Sequence, residues 1–430
     1  MSAGPGQRRL AVVGAGWAGL AAAVQAVQQG WQVKLFEMAQ QPGGRARSVS
    51  SQHRLVDNGQ HILIGAYRQT LALMRSVGVD LQQALQRRPL ALCFPDGSGL
   101  RLPTGAPLPS LLRGIVGAQG WTWRDKAALL RAASRWWAAG FHCAPALTVA
   151  QLTQALPAAV QRALIEPLCV AALNTPAAQA SASVFLRVLQ DALFAGQGSA
   201  DLLLPRQPLS ALLPGPALAW LRQRGAAVHL GHRVQTINPV PGQGWQVDGR
   251  DAGAVLLACS ASQAAQLTQA LAPAWSAQAR ALRYEPIITG WLHDATLRLP
   301  QPMLALREQT QAPAQFIFDL GALGQAPGLF SLVVSGAASW VERGLPATGQ
   351  ALLAQARAAF PGHFGSDAAL QHIAAERRAT FACTPALQRP PPWLAPGLVA
   401  AGDYIAGPYP ATLEGAVRSG QSAVELLQQA

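Results

Sequence analysis

The sequence predicts an α/β fold in which a discontinuous, Rossmann-like dinucleotide-binding domain carries an inserted α+β domain. Three observations predict it. Within residues 10–37, an apolar run leads into a glycine-rich turn, an alanine-rich stretch and a second apolar run that ends in an acid. A further apolar run, Ala254-Val255-Leu256-Leu257-Ala258, precedes a helical stretch from Ser262 to Leu271. A third, Leu398-Val399-Ala400-Ala401, leads to Gly402-Asp403, a Pro/Gly/Tyr loop and a last helix through about Gln428.

Leu10-Ala11-Val12-Val13 contains no polar residue. It therefore reads as a parallel strand covered on both faces. Gly14-Ala15-Gly16-Trp17-Ala18-Gly19 follows. Gly14 permits the tight turn, Gly16 lets the backbone approach a pyrophosphate, and Gly19 packs helix against strand. Trp17 and Ala18 open a helix whose N-terminus offers N–H groups and a positive dipole end to phosphates. Gly30 stops that helix, and the second strand, Trp31 to Phe36, ends at Glu37. There an acid binds ribose hydroxyls.

A few residues later, Pro42-Gly43-Gly44-Arg45-Ala46-Arg47 adds two glycines and two guanidinium groups. Close backbone approach with such donors suits a pyrophosphate that extends toward a flavin, so FAD is the expected cofactor rather than NAD. Gly402, Asp403 and the helix start at Thr412-Leu413 are placed to hold the ribityl chain and the electron-poor edge of the ring. The segment 402–416 contains no cysteine for a covalent link, so the FAD is expected to be non-covalent. Strand-like alternation recurs at Ala227–Leu230 and at Arg233–Ile237.

The bulk properties narrow the class. A chain of 430 residues, 50% hydrophobic and 12% charged, is globular and long enough for two cores. Its net charge of +13 is carried almost wholly by arginine, since Lys34 and Lys126 are the only lysines. The arginines are scattered and no nucleic-acid module accompanies them, which favours a membrane surface over nucleic acid. Five widely spaced cysteines without a Cys-x-x-Cys pair argue against a disulfide framework or a zinc site and fit a reducing cytoplasm. No apolar stretch is long enough to span a membrane.

Taken in order, Gly14-x-Gly-x-x-Gly19, Glu37, Gly43-Gly44-Arg45 and Gly402-Asp403…Glu414-Gly415-Ala416…Ser419-Gly420 resemble the FAD-dependent amine oxidase and phytoene desaturase superfamily. Asp57-Asn58-Gly59-Gln60-His61-Ile62-Leu63-Ile64-Gly65-Ala66-Tyr67 and Pro408-Tyr409-Pro410-Ala411-Thr412-Leu413-Glu414-Gly415-Ala416 resemble a narrower group, the hydroxysqualene dehydroxylases of hopanoid synthesis. The resemblance implies an FAD domain built from residues 1–90, 206–274 and 391–430. It implies a substrate domain from 91–205 and 275–390. The first insertion reads as helical beyond a hairpin at Pro95-Asp96-Gly97. The second reads as strands at 286–292, 315–319 and 328–335 with a helix near 347–360. The resemblance also implies that the backbone at Val234 contacts the adenine.

The activity so implied is reductive removal of the hydroxyl of a polyprenyl alcohol, hydroxysqualene to squalene. A general acid would protonate the leaving hydroxyl, and the candidates are His61, Tyr409 and Glu414. Glu414 is equally readable as a helix cap, His61 as a hydrogen-bonded core residue and Tyr409 as a packing group. Asp57 reads as a loop-fixing residue. The alternatives are a carotenoid-type desaturase, an amine oxidase and a non-catalytic prenyl carrier. The second suffers from having neither Lys34 nor Lys126 well placed, and the third from the intact nucleotide motifs. Without a second glycine fingerprint, electrons are expected from an external donor. On a helix from Arg124 to about residue 139, Arg124, Arg131 and Arg135 fall opposite Leu129, Leu130, Ala133, Trp136 and Trp137. Such a helix either lies on the membrane or packs its tryptophan face inward. The expected location is the cytoplasm, peripheral to the cytoplasmic face of the inner membrane.

Overall fold

The computed structural model describes residues 8–51 and 54–429. Six strands form the nucleotide-binding sheet in the order Ala227–Leu230, Gln32–Glu37, Arg9–Val13, Ala254–Leu257, Leu398–Ala400, Trp393–Ala395. The first five are parallel and the last closes the edge antiparallel. Arg9–Val13 is interior, with Leu10 beside Val33 on one side and Ala254 on the other. Leu10 to Val13 are buried, because helices cover both faces, and the absence of polar residues follows.

The helix Trp17–Gln28 packs against the last helix, Leu413–Gln429. Gly420 sets their spacing: a Cβ there would stand 2.1 Å from the Ala18 carbonyl oxygen. Only glycine allows the two backbones to approach this closely.

A second, antiparallel sheet runs Met303–Ala305, Phe316–Asp319, Leu329–Val334, Tyr284–His293, Ala369–Phe381. Both of its faces are buried. Phe316, Phe318, Trp291 and Val333 join the core that contains the helices of the first insertion. Ile317, Leu332 and Ile288 pack with Leu352, Ala356 and Phe360 around the helix Leu345–Ala359. The two-residue period sorts adjacent apolar residues to opposite cores.

The strands expected at 286–292, 315–319 and 328–335 and the helix near 347–360 are all present with small boundary shifts. The hairpin expected at Pro95-Asp96-Gly97 joins Ala91–Cys93 to Gly99–Arg101. Two segments differ from expectation. Ala369–Phe381 is a strand that the sequence leaves unmarked, since most of it is half-buried and it carries Glu376-Arg377-Arg378. Arg233–Ile237 is not a strand until Ile237. The Asp248 carboxylate accepts from the Gln235 and Thr236 amides at 3.0 and 2.8 Å, taking groups a ladder would use.

The helix Trp123–Ala138 starts at a reciprocal capping box between Thr122 and Asp125. Its expected apolar face is divided. Leu129 is buried, whereas Trp137 is 64% exposed. Among the described residues no helix is long and apolar enough to cross a membrane.

Candidate active site

The glycine turn after the first strand is built as the spacing requires. Gly14 has φ +108°, and a Cβ on it would lie 2.6 Å from the Ala258 carbonyl oxygen. A Cβ on Gly19 would lie 1.9 Å from the Gly14 oxygen. Gly16 differs, because its Cβ position meets only the Gly44 Cα at 4.0 Å. Gly16 also caps the helix Trp17–Gln28 without any side-chain hydrogen bond, so the amides of that first turn, Trp17 and Ala18 among them, have no side-chain cap. Gly43 donates its N–H to Ala15 O at 2.8 Å and pairs with Gly16 in a parallel bridge. Gly43 and Gly44 both have positive φ. An open, glycine-walled cradle at an uncapped helix N-terminus fits a pyrophosphate. The Trp17 indole N–H donates to Ala46 O at 2.9 Å and ties the helix to the Gly43-Gly44 loop.

Glu37 is buried at the end of its strand. Its carboxylate accepts from the Ala15 amide at 2.7 Å and the Ala39 amide at 2.8 Å. One acid thus orders the glycine turn. Val234 follows the segment in which His232 donates its amide to Glu37 O, so it sits near the acid. Its own carbonyl accepts from the Gln263 side-chain Nε2 at 3.4 Å. Glu37→Ala is expected to weaken FAD by about 1.5–3 kcal/mol, the worth of a hydrogen bond to a charged group. Quenching of flavin fluorescence on titrating apoprotein measures it.

At the other end, loops from distant parts of the chain meet. Arg45 forms a 2.6 Å ion pair with Asp403 and donates to Ala379 O at 2.6 Å. It therefore bridges to the terminal loop and to the Ala369–Phe381 strand. Asn58 donates to Arg45 O at 3.0 Å and to the Glu376 carboxylate at 3.1 Å. Ser331 donates to Gln60 at 3.0 Å. The Asp57–His61 segment thus spans the seam between the nucleotide-binding sheet and the antiparallel sheet. Asp57 accepts from Leu209 N at 2.9 Å and Ser48 Oγ at 2.6 Å, in agreement with a loop-fixing role.

His61 is half-buried in this seam, and its Nδ1 lies 3.0 Å from Gly59 O. A carbonyl can only accept, so Nδ1 carries the hydrogen and Nε2 remains for proton exchange. Desolvation lowers the imidazole pKa below its usual value, and the Arg45 guanidinium adds to the shift. Tyr409 lies between two guanidinium groups, Arg187 and Arg418, at 5.2 and 5.4 Å from its ring. Arg187 also donates to its hydroxyl at 3.1 Å. Burial, and then Asp191, push the phenol up, making it a weaker acid than usual.

Glu414 is only 2% exposed and every lone-pair direction is engaged. It accepts from the Gln69 amide at 3.1 Å, the Thr70 amide at 2.9 Å, the Thr70 hydroxyl at 2.7 Å and Arg418 at 2.7 Å. The capping expected of it falls on the helix Arg68–Ser76 rather than on its own helix. The last helix is capped by Thr412, whose hydroxyl accepts from the Gly415 amide at 3.1 Å just before Leu413. Gly402 donates its amide to Ser419 Oγ at 3.0 Å.

Sequence reasoning missed Arg389, which pins the 403–409 loop by donating to the carbonyls of Asp403, Tyr409 and Gly407. It missed Arg187 and Arg418 too, although each stands four residues from its acid on a helix, Asp191 and Glu414. That spacing was a readable signal. Neither lysine enters the site: Lys34 donates to Asp251 O and Lys126 to Val116 O.

A family model described as flavin containing amine oxidoreductase matches residues 17–428. The chain belongs to this family. It is an FAD-dependent oxidoreductase, with the glycine cradle and Glu37 suited to the cofactor's pyrophosphate and ribose. A hydroxysqualene dehydroxylase of Rhodopseudomonas palustris is 29% identical over 97% of this chain and 97% of that one. A zeta-carotene desaturase of Zea mays is 32% identical, but over 23% of this chain and 18% of that one. Among solved structures, an oxidoreductase from Methanosarcina mazei superposes with a TM-score of 0.71 at 16% identity, covering 97% of this chain and 99% of that one. That likeness concerns the fold alone.

Proposed function

We propose that this flavoenzyme acts on a long polyprenyl alcohol and reductively removes the hydroxyl of hydroxysqualene to give squalene. The observation that carries the reading is the extent of the similarity. Three hydroxysqualene dehydroxylases match over 96–97% of this chain at 26–29% identity. The desaturase matches cover about a quarter of it. FAD held in the glycine cradle and reduced by an external donor would supply the hydride that replaces the hydroxyl, which would leave as water with a proton from the protein.

The residues contribute binding and a proton. Gly14 to Gly19, Gly43 and Gly44 receive the pyrophosphate, Glu37 the ribose, Val234 the adenine, and Arg45, Gly402, Asp403, Thr412 and Leu413 surround the ring end. Of His61 and Tyr409, His61 is the stronger acid in its protonated form, because burial lowers its pKa while burial raises that of Tyr409. Glu414 is committed to anchoring. Tyr409 serves as a wall of the site held between two arginines.

The sign of the pH dependence follows. Protonated His61 is the active form, so kcat rises as pH falls, with a midpoint below the usual histidine value. His61→Gln is expected to lower kcat by about 10²–10⁴-fold and remove that limb. Tyr409→Phe should keep it. An unchanged pH profile in His61→Gln would exclude His61 as the proton donor. The reaction itself is tested by anaerobic incubation of photoreduced protein with hydroxysqualene and mass spectrometry of the product. Squalene formed in proportion to flavin oxidised is the expected result. Unreacted alcohol beside flavin that stays reduced would defeat the reading and move attention to polyene oxidation.

A further inference from the structure

The first insertion presents an apolar surface that the folded chain leaves uncovered. The helix Pro107–Gly117 is apolar nearly all round. Leu111 and Ile115 point into the core, while Leu108, Leu112 and Val116, spaced by four, are exposed on the outer face. A helix on a water-facing surface ordinarily carries polar residues there. The next helix extends the patch. Lys126 donates to Val116 O at 2.6 Å and lies 4.9 Å from the Trp123 ring, so Val116 and Trp123 meet across its ammonium. Trp123 is 71% exposed, and Trp137 occupies the same edge of that helix about 21 Å further on, at 1.5 Å per residue.

Among the described residues, eight large hydrophobics are exposed, and five of them are these. Their flank is basic. Arg113, Arg124, Lys126, Arg131 and Arg135 stand against a single acid between residues 107 and 139, Asp125. The Asp125 carboxylate is turned inward, accepting from the Thr122 amide and hydroxyl at 2.8 Å each. Arg124, Arg131 and Arg135 form one edge of the exposed face and Trp123, Lys126 and Trp137 the other.

We propose that the helical hairpin 107–138 is a docking surface for an anionic lipid bilayer, on which Leu108, Leu112, Val116, Trp123 and Trp137 enter the interface and the arginines engage phosphate headgroups. Exposed tryptophan with aliphatic side chains beside arginine matches the layered polarity of a bilayer boundary. A protein partner would need complementary acids at fixed positions, whereas a headgroup layer needs only negative charge. From this face the chain would reach water-insoluble molecules at the membrane surface. The surface stands whether or not hydroxysqualene is the substrate.

The test is co-sedimentation of the FAD-loaded full chain with vesicles of phosphatidylglycerol and, separately, of phosphatidylcholine. The wild type is expected to pellet with the anionic vesicles and to be largely released by high salt. Arg124→Gln/Arg131→Gln/Arg135→Gln should lower the partition coefficient on the order of a hundredfold. Leu112→Ser/Val116→Ser/Trp123→Ser should lower it about tenfold or more, even on vesicles of the same charge. Flavin stoichiometry and far-ultraviolet circular dichroism should be unchanged in both, since all six side chains are exposed. Three results would overturn the proposal. The wild type could stay in the supernatant with anionic vesicles. The variants could bind as it does. Or sedimentation velocity could show a dimer that the apolar triple variant loses, making the face a contact between copies.

Discussion

Gly16→Val yields a folded, colourless protein. The apoprotein has room for the change, because a Cβ at Gly16 meets only the Gly44 Cα at 4.0 Å. The valine methyls then stand in the space between the two glycine loops, which the proposed site gives to the pyrophosphate. The first-turn amides of the helix Trp17–Gln28 then lose the phosphate proposed for them. Two or more hydrogen bonds to a charged ligand, at about 1.5–3 kcal/mol each, amount to at least ~3 kcal/mol of FAD affinity, or more than a hundredfold. Gly19→Ala behaves differently. Its Cβ would fall 1.9 Å from the Gly14 oxygen, and neither turn nor helix can yield without disturbing the buried sheet. Overpacking of this kind costs about 1–3 kcal/mol or more, so stability and flavin decline together. Flavin absorbance per mole of protein, read beside the thermal midpoint, separates the two. Stoichiometric FAD in Gly16→Val would remove this turn from the pyrophosphate site.

What is legible in the sequence is what a short, rigid pattern dictates. The run Leu10 to Glu37 encodes its own structure, since each glycine answers a steric demand within a few residues. The run Ala254 to Leu257 reads as a buried strand for the same reason: Val255, Leu256 and Leu257 are fully covered, and an uninterrupted apolar tetrad has few other homes. The long-range closure is not legible. Nothing near Arg45 in sequence announces Asp403, nor does Asn58 announce Glu376, because these pairs are set by how the loops converge. The strand Ala369–Phe381 escapes notice because its half-buried residues follow no alternation. Val234 reads as a strand residue and is not one, because a distant carboxylate, Asp248, competes for the amides beside it. The tryptophan helix is half legible: its apolar stripe exists, but the neighbouring helix Pro107–Gly117 covers only part of it and adds an exposed apolar face of its own.

Glu414→Ala is expected to destabilise the fold by about 3–5 kcal/mol, the range for removing one partner of a buried, hydrogen-bonded ion pair. Four donors converge on this carboxylate from two elements: the Gln69 and Thr70 amides and the Thr70 hydroxyl at the start of the helix Arg68–Ser76, and Arg418 of the last helix. Removing it leaves buried amides unpaired and leaves Arg418 beside them, against the face of Tyr409. Glu414→Gln is a poor rescue. Each carboxylate oxygen accepts two hydrogen bonds here, so whichever position takes the NH₂ group turns a donor toward donors. Arg418→Ala should cost less, since the three remaining donors still satisfy Glu414. The ordering alanine worst, glutamine close behind and Arg418→Ala mildest distinguishes an anchor from a proton donor. A catalytic acid at this position would show the reverse: near wild-type midpoints in urea, bound flavin retained, and kcat lost. If Glu414→Gln unfolds at the wild-type denaturant concentration while turnover disappears, Glu414 returns as the acid and His61 is left as a seam residue. The four donors make the first outcome the expected one, because protonating the carboxylate would force one of them to give up its acceptor.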